Sequence, residues 1–215
     1  MATTRKQGRP KSEEKYHLIL HAASCLFLKE GFANTSMDTV AKASGVSKQT
    51  VYSHFEGKDA LFKAAISSKC RSYQLDTQQL IDATSGSLSL LECLRKVGCQ
   101  FVRLLQDPEA IAIFRVIIAE AVNSPHVATL FYQAGPEASL STLSDVIEKF
   151  GEGSLSRDIA QQLAVDYCAL LKGEYHTMML CGIQSPLQDD AITAHVNSAA
   201  EKILSLFNHY TQQHN

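Results

Sequence analysis

The chain has 215 residues, 45% of them hydrophobic and 20% charged, with a formal net charge of −2. That balance supplies a sizeable core and excludes an intrinsically disordered chain, while the near-zero charge excludes a protein that coats nucleic acid over its whole surface. No apolar run is long enough to span a bilayer, and the N-terminus is polar and basic, so a cytoplasmic protein with no membrane partner is expected.

Residues 1–11 carry Arg5, Lys6, Arg9 and Lys11 beside the helix-opposing Gly8 and Pro10. They read either as a solvated end or as a flexible basic arm in which Arg5 and Arg9 enter the minor groove of DNA, adding salt-dependent affinity. A helix is expected from the capping residue Ser12 to about Lys29, ended by Gly31, with Leu18, Ala22, Cys25 and Leu26 on its buried side beside Ile19 and Phe27. His17 and His21 are four apart on it, but with no third ligand nearby no metal site is expected.

The stretch from Thr35 to Lys58 reads as two short helices joined by a tight turn. Thr35 and Asp38 fit a capping box, and Met37, Val40 and Ala41 give the first helix one buried side. Gly45 suits a left-handed turn, Val46 plugs it, and Ser47 is a good N-cap for the second helix. There Val51 and Phe55 can face inward together, which leaves Lys48, Gln49, Thr50, Ser53 and His54 outside. Such a hairpin occurs in many helical proteins. It is also the helix-turn-helix that sets its second helix in the major groove, and the residue types fit that use. Lys48, Gln49 and Thr50 carry donors and acceptors suited to base edges, whereas Ser36, Ser47, Tyr52, His54 and Lys58 suit phosphate contacts that fix register.

The run Thr-Ser-Met-x-x-Val-Ala-x-x-Ser-Gly-Val-Ser-x-x-x-Val-Tyr-x-His-Phe-x-x-Lys-x-x-Leu, from Thr35 to Leu61, resembles the DNA-binding signature of the TetR family of bacterial transcriptional regulators. The resemblance covers about residues 12–65. It implies a three-helix DNA-binding head, and a homodimer paired through its two C-terminal helices on a palindromic double-stranded operator. Charge is distributed accordingly: ten Lys or Arg face six Asp or Glu through Lys63, against ten and sixteen after it.

After Lys58 a longer helix is expected to start near Asp59 and run past Tyr73, with Leu61, Phe62, Ala65 and Ile66 closing the head and Cys70 to Leu80 touching the helices beyond it. The head is assigned to residues 12–65 and a second domain to 66–215, with a turn-like break at Thr84 to Ser87. Helical patterns then cover about Leu88–Leu105, Glu109–Ala121, Pro125–Phe150, Arg157–Leu180 and Asp189–Tyr210, with Gly135 and Pro136 kinking or dividing the third. The fold class is therefore all-α: an N-terminal helix-turn-helix head followed by a larger helical domain for ligand binding and dimerisation.

The last two helices offer Leu171, Tyr175, Val196, Ala199, Ile203 and Leu206 as a dimer seam, with filling of the monomer core as the alternative. In the middle helices Phe101, Leu104, Leu105, Phe114, Ile117, Ile118, Phe131, Tyr132, Met178 and Met179 could line an apolar cavity, with Arg115, Glu120, Asn123 and His176 as polar anchors, or could simply fill the interior. A small lipophilic effector would suit such a wall. The region from Phe114 to Ala138 also resembles the C-terminal domain of TetR-like regulators of efflux or stress genes. The six cysteines lie within helical patterns, where such residues are mostly small, buried and apolar; Cys93 and Cys99, six apart, lie on different turns, so a redox switch would need a loop or partner chain. No phosphate-cradling glycine loop, metal constellation or nucleophile with a base is present, so no enzyme and no cofactor are expected. An effector-independent regulator or activator, or an all-α interaction adaptor, remains open.

Overall fold

The structure is a computed structural model that describes residues 12–73 and 88–212. The basic arm with Arg5 and Arg9, the stretch to Leu80 and the break at Thr84 to Ser87 lie outside them. The described residues form helices and no strand, and the chain divides into two compact units, residues 1–65 and 66–215.

In the first unit α1 spans Glu13–Asn34. Ser12 caps it by accepting from the Lys15 amide, and Glu13 and Glu14 place negative charge at its positive end. Gly31 interrupts the helical run with φ 78°, a conformation cheap only for glycine. Beyond it Phe32 returns onto Phe27 and Phe62, with ring centroids 5.8 and 5.3 Å away. Helices α2 (Met37–Ser44), α3 (Lys48–His54) and α4 (Lys58–Ser72) follow. Ile19, Ala23, Phe27, Val40, Val51, Leu61 and Phe62 make the core of the head. Each fully buried large side chain contributes roughly 1.5–3 kcal/mol.

Three local expectations need correction. The capping box of α2 is one residue later: Ser36 accepts from the Thr39 amide while Thr39 accepts from the Ser36 amide. Thr35 is buried instead, its hydroxyl donating to the Gly31 carbonyl at 2.8 Å, which satisfies an acceptor freed where α1 breaks. The buried face of α1 is rotated as well. Ile19, Ala23 and Phe27 point inward, while Leu18 and Cys25 are exposed, because α1 carries apolar residues on two phases and the aromatic cluster selects one. Ile66 lies past the division, against Gly135 of the second unit, whose missing side chain makes room for it.

The second unit contains α5 (Leu90–Leu105), α6 (Pro108–Glu120), α7 (Pro125–Tyr132), α8 (Ala138–Phe150), α9 (Arg157–Leu180) and α10 (Asp189–Gln212). A π-helical turn at Gln133–Glu137 holds Gly135 and Pro136 and divides α7 from α8. Proline's missing amide and its clash with the preceding turn explain why the regular ladder gives way there. Ser89 and Glu92 form the capping box of α5, and Asp107 caps α6 by accepting from Glu109 and Ala110.

Helix α9 packs against α8 and α10, and α10 against α5, around Leu94, Ile147, Leu163, Tyr167, Leu171, Ile192, Val196 and Ile203. Tyr167 is fully buried and donates to the Leu94 carbonyl at 2.6 Å; Gly98 leaves the space in which its phenol lies. At Gly173, φ 51°, α9 loses its helical backbone, and His195 of α10 approaches to hydrogen-bond the Leu171 carbonyl at 3.0 Å. The cysteines are unpaired; Cys93 and Cys168 are buried, Cys70 and Cys99 are half-buried, and Cys25 and Cys181 are exposed.

Candidate functional site

The turn between α2 and α3 is built as the spacing expects. Gly45 adopts φ 71°, ψ 15°, Ser47 accepts from the Thr50 amide at 3.2 Å, and Val51 and Phe55 are buried beneath α3. Phe55 ends the helix by donating its amide to the Val51 carbonyl and stacks on Tyr16 of α1, 5.2 Å between centroids. A helix of seven residues is too short to hold itself, so this anchoring defines its position.

On its outer side Lys48, Gln49, Tyr52 and Ser53 are exposed, and Thr50 and His54 are half-buried. The Ser36 and Ser47 hydroxyls already serve as helix caps, and each also lies within hydrogen-bond distance of a threonine hydroxyl, Thr39 at 3.2 Å and Thr50 at 2.8 Å. Two of the expected DNA contacts have partners that periodicity does not announce. Lys48 is ion-paired across the turn with Asp38 at 2.7 Å, a contact that raises the ammonium's pKa through its hydrogen bond and charge. The Lys58 ammonium donates to the Phe32 carbonyl at 2.7 Å and lies 4.2 Å from the Phe32 ring, closing the end of α1. Lys58 thus holds the head together, whatever else it touches.

The second unit encloses an apolar cavity of about 90 Å³. Of the residues expected to line it, Phe101, Leu104, Leu105, Phe114 and Phe131 do. The others do not. Ile117 and Met179 are packed into the interior, Ile118 and Tyr132 are on the surface, Glu120 is half-buried and His176 is buried without lining the cavity. The helical period placed the correct elements, but which side of α6 and α7 turns inward depends on their packing against the rest of the domain. Sequence reading missed Lys69, Cys70, Gly135, Ser139, Cys168 and Lys172, which also line the space. The unusual Gly-Pro pair inside an apolar helical pattern was the signal available for the π-turn wall.

His176 is buried against Phe114, ring centroids 5.5 Å apart, with its Nδ1 unpartnered; burial, then the charge of Lys172, lowers its pKa. Lys69 bridges Asp107 at 2.9 Å and Glu109 at 2.8 Å, and Tyr73 donates to Asp107 at 2.6 Å. Burial alone would raise the Asp107 pKa, but the Tyr73 hydroxyl and Lys69 outweigh it and hold the carboxyl below its ordinary value. Burial and the same contact push Tyr73 up to about 12. This cluster fixes the second half of α4 to the start of α6.

The expected dimer seam also changes. Leu171, Val196, Ala199 and Ile203 are at most 4% exposed within the single chain, and Tyr175 is buried too, so they are core. The reason is that α9 and α10 are amphipathic toward their own protomer. Leu206 is on the surface, at 39% exposure.

Among the described residues no helix is long and apolar enough to cross a membrane, and no group of three or more His, Cys, Asp or Glu could hold a metal ion. Residues 19–65 match the family model for bacterial regulatory proteins of the tetR family, and residues 92–209 match that for the C-terminal domain of AefR-like transcriptional repressors. An uncharacterized helix-turn-helix transcriptional regulator, YerO of Bacillus subtilis, is 26% identical over 77% of this chain and 55% of its own length. The transcriptional activator FasR of Mycolicibacterium smegmatis is 25% identical over 77% of this chain and 73% of its own. The solved structure of the flavonoid-responsive regulator FrrA is 30% identical, covers 91% of this chain and 97% of its own, and superposes with a TM-score of 0.67. The chain belongs to the TetR family of bacterial transcriptional regulators: it carries that family's DNA-binding domain and is not an enzyme.

Proposed function

We propose that the protein is a cytoplasmic homodimeric repressor that binds a palindromic operator through α3 and is released by a small lipophilic effector held in the cavity of the second unit. The observation that carries the first half is the exposure of Lys48 and Gln49 on a helix whose other side, Val51 and Phe55, is anchored in the head. Lys48, Gln49 and Thr50 read base edges, and Ser36, Ser47, Tyr52 and His54 contact phosphates. Arg5 and Arg9 add backbone contacts from the arm.

The apolar cavity carries the second half. Helix α4 supplies Leu61 and Phe62 to the core of the head and Ile66 and Cys70 to the cavity wall. A ligand that favours one position of its second half shifts the spacing of two reading helices that must match major grooves about 34 Å apart. Pairing falls to the outer faces of α9 and α10, where Val165, Ala169, Ala194, Ser198 and Leu206 are exposed and mostly small enough for close helix approach.

Fluorescence anisotropy with labelled genomic fragments tests the reading. Salt-sensitive binding to a palindrome, lost on adding a lipophile that calorimetry shows to bind, supports it. Binding to the palindrome that no bound lipophile weakens removes the effector-released repressor. FasR is by name an activator, and that supports a second reading in which the same site raises transcription; a reporter fused to the operator separates the two. An efflux or stress-response operon is the proposed target, and loss of operator binding at such a promoter would remove it.

A further inference from the structure

The cavity does not end at its apolar wall. A polar groove of about 360 Å³ adjoins it, and the two share Cys70, Gly135 and Ser139 as lining residues. The groove is lined with the hydroxyl-bearing Ser67, Ser139, Ser141 and Thr142, and with Arg71 and Asp145. Gly135 of that shared wall lies in the π-helical turn, a widened segment of a kind often found at functional sites. Gly135 in that turn lets Ile66 and Cys70 approach closely: a β-carbon there would meet the Ile66 side chain at 3.2 Å.

Four charged groups line the two spaces, and their partners decide what ligand they favour. Lys69 is held by Asp107 and Glu109, and Asp145 is paired with Arg157. Arg71 in the groove and Lys172 at the cavity have no carboxylate partner among the described residues, so the unbalanced charge is positive. A guanidinium's planar fork matches an oxyanion in two parallel hydrogen bonds. The apolar space is small: cavities of about 150 Å³ admit a benzene ring, so one of about 90 Å³ takes only a short apolar terminus unless side chains shift.

From this juxtaposition we infer that the effector is an anionic amphiphile, its apolar end in the chamber lined by Phe101, Phe114 and Phe131 and its oxyanion head in the groove against Arg71. The inference rests on reading the cavity as the effector site and names the chemistry that site selects. Ser139, at the junction, faces the point where the ligand changes from apolar to polar.

Titration calorimetry of the full chain with octanoate, octyl phosphate and octan-1-ol tests it. The expected result is that at least one anion binds about tenfold or more tightly than the alcohol, with the preference weakening as salt rises. Arg71→Ala removes the preference and leaves alcohol binding unchanged; Lys172→Ala keeps it. Ala110→Leu, which narrows the chamber, weakens anion and alcohol alike, with a thermal melt confirming that the variant folds. Equal binding of all three compounds overturns the anionic head while leaving an apolar effector in place. Loss of the preference in Lys172→Ala and not in Arg71→Ala overturns the assignment to the groove. If none of the three binds, the inference and the effector site fall together. Of the two anions, the tighter binder separates a carboxylate from a phosphate head.

Discussion

The head and the second unit use the same element, an amphipathic helix, with opposite results for where space is left. In the head, α1 and α4 close on an aromatic cluster of Phe27, Phe32 and Phe62, Val40 and Val51 bury α2 and α3, and α3 exposes Lys48, Gln49 and Tyr52. In the second unit the helices leave an apolar chamber and a polar groove, and a π-helical turn and the break at Gly173 depart from regular backbone. A solid unit can present a fixed surface to DNA; a unit with unfilled space can change when that space is occupied. The difference is what the proposed division into a reading head and a sensing second unit would require.

The sharpest way to break this comparison is to open the head. Phe62→Ala removes a ring at 1% exposure that touches both Phe27 and Phe32, and should destabilise the head by about 3–5 kcal/mol. Thermal melting followed by proteolysis should show the head lost and the second unit still folded. A single concerted loss of both would contradict their independence.

Filling space in the second unit should matter next. Gly98→Ala places a methyl against the Tyr167 hydroxyl and Val196, and overpacking there should cost about 1–3 kcal/mol in denaturant melts. Ser139→Ala, which faces open space, should leave stability unchanged within about 0.5 kcal/mol. Similar losses in both would mean that the cavity is not real space.

On the reading surface, Gln49→Ala should change preference at particular base pairs by roughly 1–3 kcal/mol, whereas Tyr52→Phe should weaken all sequences alike. Lys58→Ala sharpens the boundary between the two roles. Its ammonium closes α1 through the Phe32 carbonyl, so the variant should lose about 1 kcal/mol of head stability. A lowered salt slope with unchanged melting would instead make Lys58 a pure phosphate contact.

The smallest effect is on acid stability. Asp107 has its folded pKa below the ordinary carboxylate value, so the stability it confers is present above that ordinary value and is lost as pH falls through the folded one. Asp107→Asn should flatten the acid limb of the stability profile below about pH 4, where the carboxylate begins to protonate. An unchanged limb would assign the acid loss to other groups.

Much of the head was legible because its signals are local. Gly45 needs a left-handed turn, Ser47 needs only the next three residues to cap α3, and Val51 and Phe55 need only their spacing. What was misread there depended on contacts from farther along the chain. The rotation of α1 was set by Phe62, and Lys58 was drawn to a carbonyl 26 residues away. In the second unit helix boundaries were legible for the same local reasons, yet the cavity wall was not. Phe101, Leu104 and Phe114 were placed correctly, while Ile118 and Tyr132 turned outward, since an apolar pattern gives a helix a period and not a direction. Likewise Val196 and Ile203 were offered to a partner because nothing in their spacing distinguishes a neighbour in the same chain from one in a second copy.

On the proposed function, occupation of the second unit changes what the head can read. The most direct test is operator affinity, measured by anisotropy, with and without a saturating cavity ligand in the natural chain and in Ala110→Leu. The ligand should weaken operator binding in the natural chain and have no effect in the narrowed variant, whose unliganded affinity should be unchanged. Equal weakening in both proteins would contradict it, since the ligand would then act without the cavity.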